Sequence, residues 1–275
     1  VAARPRQLSA TQVETWMRDP YAVYARHVLD LRALEAIEAD PGGAERGTIV
    51  HQVIDGFVRA HPDRLPDDAL AALLEFGAAG FEKIRTQPTL FAFWWPRFAR
   101  TAAWFIGEER RYRESVAEIS SEVTGTLELD GFTLTAKADR VDVLADGTLS
   151  VIDYKTGSIP GKGEVALGFA PQLPLEAAIA EAGGFNRIKP SGVTALEYWR
   201  LSGGDPAGEI KAAGDDVSAL AHDARVGLAG LVARFNDPAT PYLSQPDGAR
   251  GPRYSDYTHL ARIGEWLDVG GGGDD

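Results

Sequence analysis

The chain contains no cysteine. Counting alone therefore excludes disulfides, thiolate zinc sites, cysteine-ligated iron–sulfur clusters and a cysteine nucleophile, and it leaves the redox compartment open. Long apolar runs are missing too. No stretch approaches the about eighteen uninterrupted apolar residues of a membrane-spanning helix, and Val1 to Glu14 lacks the apolar core of a secretory signal. The expectation is a cytoplasmic protein without a membrane partner. Positive charge is scarce as well: 28 Lys and Arg face 40 Asp and Glu, a net charge of -12. Because phosphate backbones are bound largely by Lys and Arg, that balance argues against an autonomous nucleic-acid binder. It supplies carboxylates for metal in abundance. Basic clusters do occur at Arg4 and Arg6, at Arg18, Arg26 and Arg32, and from Arg97 and Arg100 to Arg110, Arg111 and Arg113. Each reads equally as a solvated helix face or as part of a patch.

What is present is enough for a full core: 275 residues, 44% of them hydrophobic and 25% charged, fit one large domain or two small ones. Ser9 is a candidate N-cap, and Val13, Trp16, Met17, Tyr21, Tyr24 and Val28 follow at helical spacing with a kink expected at Pro20. After a loop at Asp40 to Gly43, the run Ile49, Val50, Val53, Ile54, Phe57 and Val58 predicts a second amphipathic helix. Further helices are expected over Asp67 to Arg85 and Trp94 to Ala117. Near Glu118 the pattern changes to period two, with turns at Asp130-Gly131 and Asp146-Gly147, which predicts adjacent strands over about 119–129, 132–143 and 148–155. A helix over Pro171 to Glu181, a strand over Gly192 to Leu201 and a helix over Val217 to Asn236 complete a mixed α/β core behind a helical N-terminal part. The glycine-rich end, 270–275, reads as a disordered tail.

The densest chemistry lies in Val151-Ile152-Asp153-Tyr154-Lys155-Thr156-Gly157. On a strand, Asp153 and Lys155 project from one face. An oxygen donor for a hard cation and an ammonium for a phosphate thus meet over one spot. Asp-x-Lys by itself is common as a surface ion pair, but the apolar residues before it predict a buried strand. Asp139 lies on the neighbouring strand, about as far from the Asp146-Gly147 turn as Asp153, so the two carboxylates should face each other. Opposed like charges are unfavourable on strands, which points to a cation between them. The alternatives are a register one residue off, or Asp142 as the acid. His51, one turn beyond Gly47, reads as an imidazole delivered by a close helix approach or as a satisfied core histidine. Glu122 should neighbour Asp139 across the Asp130-Gly131 turn, as an outer ligand or a surface glutamate. Gln172 opens a helix whose N-terminus suits phosphate, or merely supplies polarity there.

Taken together, Arg46-Gly47-x-x-x-His51, Lys137-Ala138-Asp139-Arg140, Asp153-Tyr154-Lys155-Thr156-Gly157 and the helix from Gln172 resemble the RecB family of the PD-(D/E)XK nucleases. The resemblance implies an α/β restriction-endonuclease-like fold, a mixed sheet flanked by helices. The resemblance runs from about Leu8 to Arg200, and one nuclease domain is expected over 1–269, with a helical part at 1–117, a catalytic core at 118–201 and a helical C-terminal part at 202–269. It implies a Mg²⁺-dependent exonuclease in which Mn²⁺ can substitute. His51, Asp139, Asp153 and the main-chain carbonyl of Tyr154 would bind metal. Lys155, with the acids and Glu122, would be catalytic, and Gln172, Arg46 and Thr156 would meet DNA.

The opening Leu8-Ser9-Ala10-Thr11 with Asp19-Pro20-Tyr21-Ala22-Val23-Tyr24 is similar to nuclease domains of the AddB family. That similarity implies an AddA-type helicase partner, and single strands of DNA as substrate during double-strand break repair. Two departures stand out. The cysteines that hold an iron–sulfur cluster in many such proteins are absent, so no cluster is expected. The family's Gln-x-x-x-Tyr reads Gln172-Leu173-Pro174-Leu175-Glu176 here. The competing readings are a stand-alone RecB-like or CRISPR-associated nuclease and a non-catalytic DNA-binding scaffold.

Overall fold

A computed structural model describes residues 3–32, 42–252 and 254–268. The expected loop at Asp40 to Gly43 falls partly outside these residues, and the tail from Gly270 wholly so. The chain begins with a short strand, β1 (Gln7–Ser9), and Ser9 then caps helix α1 (Ala10–Arg18). Its hydroxyl accepts the Gln12 amide while the Gln12 side chain accepts the Ser9 amide, a reciprocal cap that satisfies two otherwise orphaned N–H groups. The kink expected at Pro20 is a full break: Asp19 leaves the helical region and Pro20 starts α2 (Pro20–His27) at the position where its missing N–H costs nothing. Helices α3 (Gly43–Ala60), α4 (Ala69–Gly80) and α5 (Pro88–Tyr112) follow.

The three expected strands are β2 (Val116–Leu129), β3 (Phe132–Leu144) and β4 (Leu149–Lys155). After a short helix, α6 (Lys162–Ala166), come α7 (Gln172–Glu181), strand β5 (Val193–Arg200), strand β6 (Glu209–Ala212) and helices α8 (Val217–Asn236) and α9 (Ile263–Asp268). Among the described residues the strands form one six-stranded mixed sheet in the order β1-β3-β4-β5-β6, with β2 on the other edge of β3. Two apolar layers cover it. Leu8, Trp16, Leu134, Val151, Leu173, Leu196 and Leu228 pack on one face beneath α1, α7 and α8. On the other face Ile54, Phe57, Phe105, Ile152, Tyr154 and Trp199 pack against α3, α4 and α5. Each such side chain removed from water contributes about 1.5–3 kcal/mol before chain entropy is counted.

Two features of this sheet position the site. The same edge of β3 pairs with β1 in parallel through Thr133 to Thr135 and with β4 in antiparallel through Arg140 to Val143, which leaves 136–139 between the diverging partners. The two faces of the β2–β3 hairpin also exchange there. In β2, Val123 faces the α7 layer whereas Ser121 hydrogen-bonds Asp55 of α3, although the two residues are two apart. In β3, Ala136 and Ala138 face the α7 layer whereas Arg140 turns to Glu109 of α5. A regular strand alternates with period two, so an exchange of faces requires an interruption. Glu122 supplies it with φ +53°, a left-handed conformation uncommon outside glycine.

Candidate active site

β4 is buried from Leu149 to Tyr154 and emerges at Lys155. Asp153 and Lys155 share the α7 side of the strand with Val151, as the period-two reading expected, while Ile152 and Tyr154 enter the opposite layer. Asp153 is 2% exposed. Lys155 Nζ donates to its Oδ1 at 2.9 Å and stands 2.7 Å from its Oδ2. Burial pushes the Asp153 carboxyl up to about 6; the Lys155 ammonium opposes that rise, and the Asp139 carboxylate adds to it. Burial works against the Lys155 ammonium, but the charge of Asp153 and its hydrogen bond prevail, so its pKa is raised. Lys155 therefore carries its positive charge at neutral pH.

Gln172, the first residue of α7, joins this pair. Its Oε1 accepts Lys155 Nζ at 3.1 Å, and its Nε2 donates to Asp153 Oδ1 at 2.8 Å and to Glu176 Oε1 at 3.2 Å. On this side of the sheet, Lys155, Gln172, Glu14, Arg18, Phe169 and Tyr198 line a cleft of about 620 Å³.

Asp139 stands where β4 departs from β3. The ladder pairs Arg140 with Ile152 and Val141 with Val151, the register in which Asp139 is next opposite Asp153. There the ladder stops. Asp139 Oδ2 accepts the Tyr154 amide at 2.8 Å and lies 3.5 Å from His51 Nδ1. Asp142, the alternative acid, is fully buried and bonded to Arg140 Nε at 2.7 Å, inside an ionic cluster with Glu109 of α5. His51 reaches the site because α3 approaches closely one turn earlier: a Cβ on Gly47 would stand 2.9 Å from Thr156 Oγ1. Arg46 fixes the same approach by donating to the carbonyls of Thr156 and Ser202 at 3.3 and 3.4 Å.

Glu122 lies opposite Asp139, between the pairs Ser121 with Arg140 and Val123 with Ala138. Its carboxylate pairs with Lys137 and, with His51, Gln52, Asp55 and Thr156, lines a second hollow of about 430 Å³ on the α3 side. Of the basic clusters, Arg4 is spent on four carbonyls in and just beyond the last turn of α8, and Arg113 on Glu109 and the carbonyls of His61 and Pro62. Sequence reasoning did not select Glu176, Glu14, Glu109 or Arg140, and it offered Asp142 only as an alternative acid. Glu176, Glu109 and Arg140 are ordinary polar residues in the sequence, and only burial distinguishes them.

Among the described residues, no three His, Asp or Glu side chains are gathered tightly enough to form a ready cation cage. The donor chemistry nevertheless fits a hard divalent cation: carboxylate oxygens from two adjacent strands, whose mutual repulsion adds to the burial that raises the Asp153 pKa, and one imidazole beside them. His51, Asp139 and Asp153 are the residues that would hold it.

Comparison with known proteins gives a family match and several relatives. The family model described as the PD-(D/E)XK nuclease superfamily matches residues 7–247. An uncharacterized protein of Rickettsia bellii is 29% identical over 186 residues, covering 66% of this chain and 22% of that protein. An uncharacterized protein of Rickettsia conorii is 27% identical over 191 residues, covering 66% of this chain and 23% of its own length. The chain thus spans about a quarter or less of these relatives. Superfamily members are phosphodiester hydrolases that typically use divalent metals such as Mg²⁺, and the match covers every element from β1 to α8. The chain belongs to the PD-(D/E)XK nuclease superfamily.

Proposed function

We propose that the chain is a Mg²⁺-dependent deoxyribonuclease, with Mn²⁺ as a substitute, that hydrolyses phosphodiester bonds at the exposed end of β4. The observation that carries this reading is the joining of Asp153, Lys155 and Gln172 into one hydrogen-bonded group at a 620 Å³ cleft, with Asp139 and His51 adjacent. A bound divalent cation supplies Lewis acidity toward the phosphoryl oxygen and makes water a better nucleophile. The Tyr154 carbonyl would join the three side-chain ligands. Lys155, kept charged by Asp153, offers an ammonium to the negative charge that develops on the phosphate. Gln172 keeps that ammonium from collapsing wholly onto Asp153. Glu122 would act from outside through water, while Arg46 and Thr156 line the approach of DNA.

We read the chain further as the nuclease part of a helicase–nuclease subunit of AddB type, cutting as an exonuclease the single strands delivered by an AddA-type partner in double-strand break repair. The opening segment and the greater length of the relatives support this. So does the net charge of -12, which assigns most DNA affinity to other regions. End-labelled single-stranded and duplex DNA, incubated with Mg²⁺, with Mn²⁺ and with EDTA, tests the activity. Metal-dependent cleavage abolished by Asp153→Asn is expected; metal-independent cleavage, or none, overturns the reading. Copurification of the parent protein with a helicase tests the partner.

A further inference from the structure

Helix α7 is buried between the sheet and α8, and from Leu173 to Ala180 every residue is inside. Seven of those eight are apolar and the eighth is Glu176, 1% exposed. No ion pair to a Lys, Arg or His is formed by Glu176 among the described residues. Its Oε1 accepts Gln172 Nε2, and its Oε2 is buried with no hydrogen-bond partner. An acid so placed costs several kcal/mol relative to a leucine of similar volume, so packing alone does not explain it. Burial raises its pKa well above the usual carboxylate range, and the charges of Asp153 and Asp139 push the same way.

We propose that Glu176 is a positioning residue for Lys155 and Asp153, acting through the side-chain amide of Gln172, whose orientation it sets. A glutamine amide has one acceptor and one two-proton donor end. Here the acceptor end meets Lys155 and the donor end meets two carboxyl oxygens, on Asp153 and on Glu176. Turning the amide over would set its oxygen against the Asp153 carboxylate and its N–H groups against an ammonium, so those two contacts are lost together, and in the observed orientation Glu176 Oε1 takes the remaining N–H. With Glu176 absent, the N–H on the Glu176 side of the amide is left without its buried acceptor, and the amide is released to rotate. Lys155 then loses the partner that balances the pull of Asp153. Glu176 is one helical turn from Gln172, so the rigid helix transmits its position directly.

The link to catalysis rests on the function proposed above, and the test separates the two. In metal-free protein, the side-chain NH₂ of Gln172 is followed by ¹⁵N NMR, assigned by its loss in Gln172→Ala. Glu176→Leu should shift both amide protons and speed their exchange with water about tenfold, as loss of one buried hydrogen bond gives. Glu176→Gln keeps an acceptor and should preserve wild-type signals; Glu176→Met replaces the leucine variant if that one does not fold. Unchanged Gln172 signals in the apolar variant overturn the proposal, as does a Glu176→Gln variant that behaves like Glu176→Leu.

The second readout is cleavage. Glu176→Leu should lower kcat about tenfold with KM unchanged, Glu176→Gln should restore it, and in a Gln172→Ala background Glu176→Leu should add no further loss. Additive losses would overturn the proposal. If the wild-type protein cuts no DNA, the functional reading falls, and the amide measurement still decides the role of Glu176.

Discussion

Neutralising Asp153 should stabilise the metal-free protein. Its carboxyl is almost wholly buried, and its pKa rises from 3.8 to about 6, chiefly because burial disfavours the charged form. At 1.36 kcal/mol for each tenfold change in proton affinity, that rise means the ionised form costs the folded state about 3 kcal/mol at neutral pH. The attraction of Lys155 is already contained in this figure, since it is one of the influences holding the pKa down. Asp153→Asn removes the charge and keeps Oδ1, the atom that Lys155 and Gln172 both reach.

The sign follows from proton linkage. Between pH 3.8 and about 6 the folded state binds more protons at this site than the unfolded chain, so the wild type gives up this stability as pH rises through that window. The variant should therefore match the wild type near pH 4 and exceed it by about 2–3 kcal/mol above pH 6, a rise in Tm of about 4–10 °C for a chain of this size. With Mg²⁺ the order should reverse. A ligand bound only by the folded state adds about 2.7 kcal/mol at a hundredfold excess over Kd, which closes the gap, and about 4.1 kcal/mol at a thousandfold excess, which reverses the order, and the variant should lose most of that increment. Thermal melts in EDTA and in graded Mg²⁺ from pH 4 to 8 read both effects. If the metal-free asparagine variant melts below the wild type at pH 7, while wild-type melting ignores Mg²⁺, Asp153 is a structural ion-pair residue and the reasoning fails.

Lys155→Ala should keep calorimetric Mg²⁺ binding yet lose cleavage by about 10²–10³, the loss seen when one charge-stabilising donor is removed from a transition state; unchanged cleavage would remove Lys155 from the mechanism. Glu109→Ala strips Arg140, fully buried, of one of its two carboxylate partners, and denaturant unfolding should show a loss of about 3–5 kcal/mol. A loss below about 1 kcal/mol would mean that Arg140 is not held by that pair. Activity should need no cluster, and iron and sulfide analysis of the purified protein should find neither in stoichiometric amount; a charge-transfer band in the visible spectrum would contradict this.

By itself the sequence determined every element whose side-chain period is strong: the α3 stripe from Ile49 to Val58, the hairpins at Asp130-Gly131 and Asp146-Gly147, and the shared face of Asp153 and Lys155. These are local properties, set by 3.6- and 2.0-residue repeats and by turn chemistry that neighbouring residues carry. The register that sets Asp139 beside Asp153 was legible for the same reason, since a short turn counts residues equally along both strands. Strands β1 and β6, three and four residues long, were not, because a strand that short has no period to read and exists only through its partners β3 and β5. Glu122 looked like one more residue of a regular strand, and its left-handed conformation, at the point where the faces of the sheet exchange beside the site, has no local signal in the sequence. Nothing in the sequence distinguishes Glu176 and Glu109 from other acids on helices. Only tertiary structure decided that they lie in the interior, where desolvation makes a carboxyl group consequential.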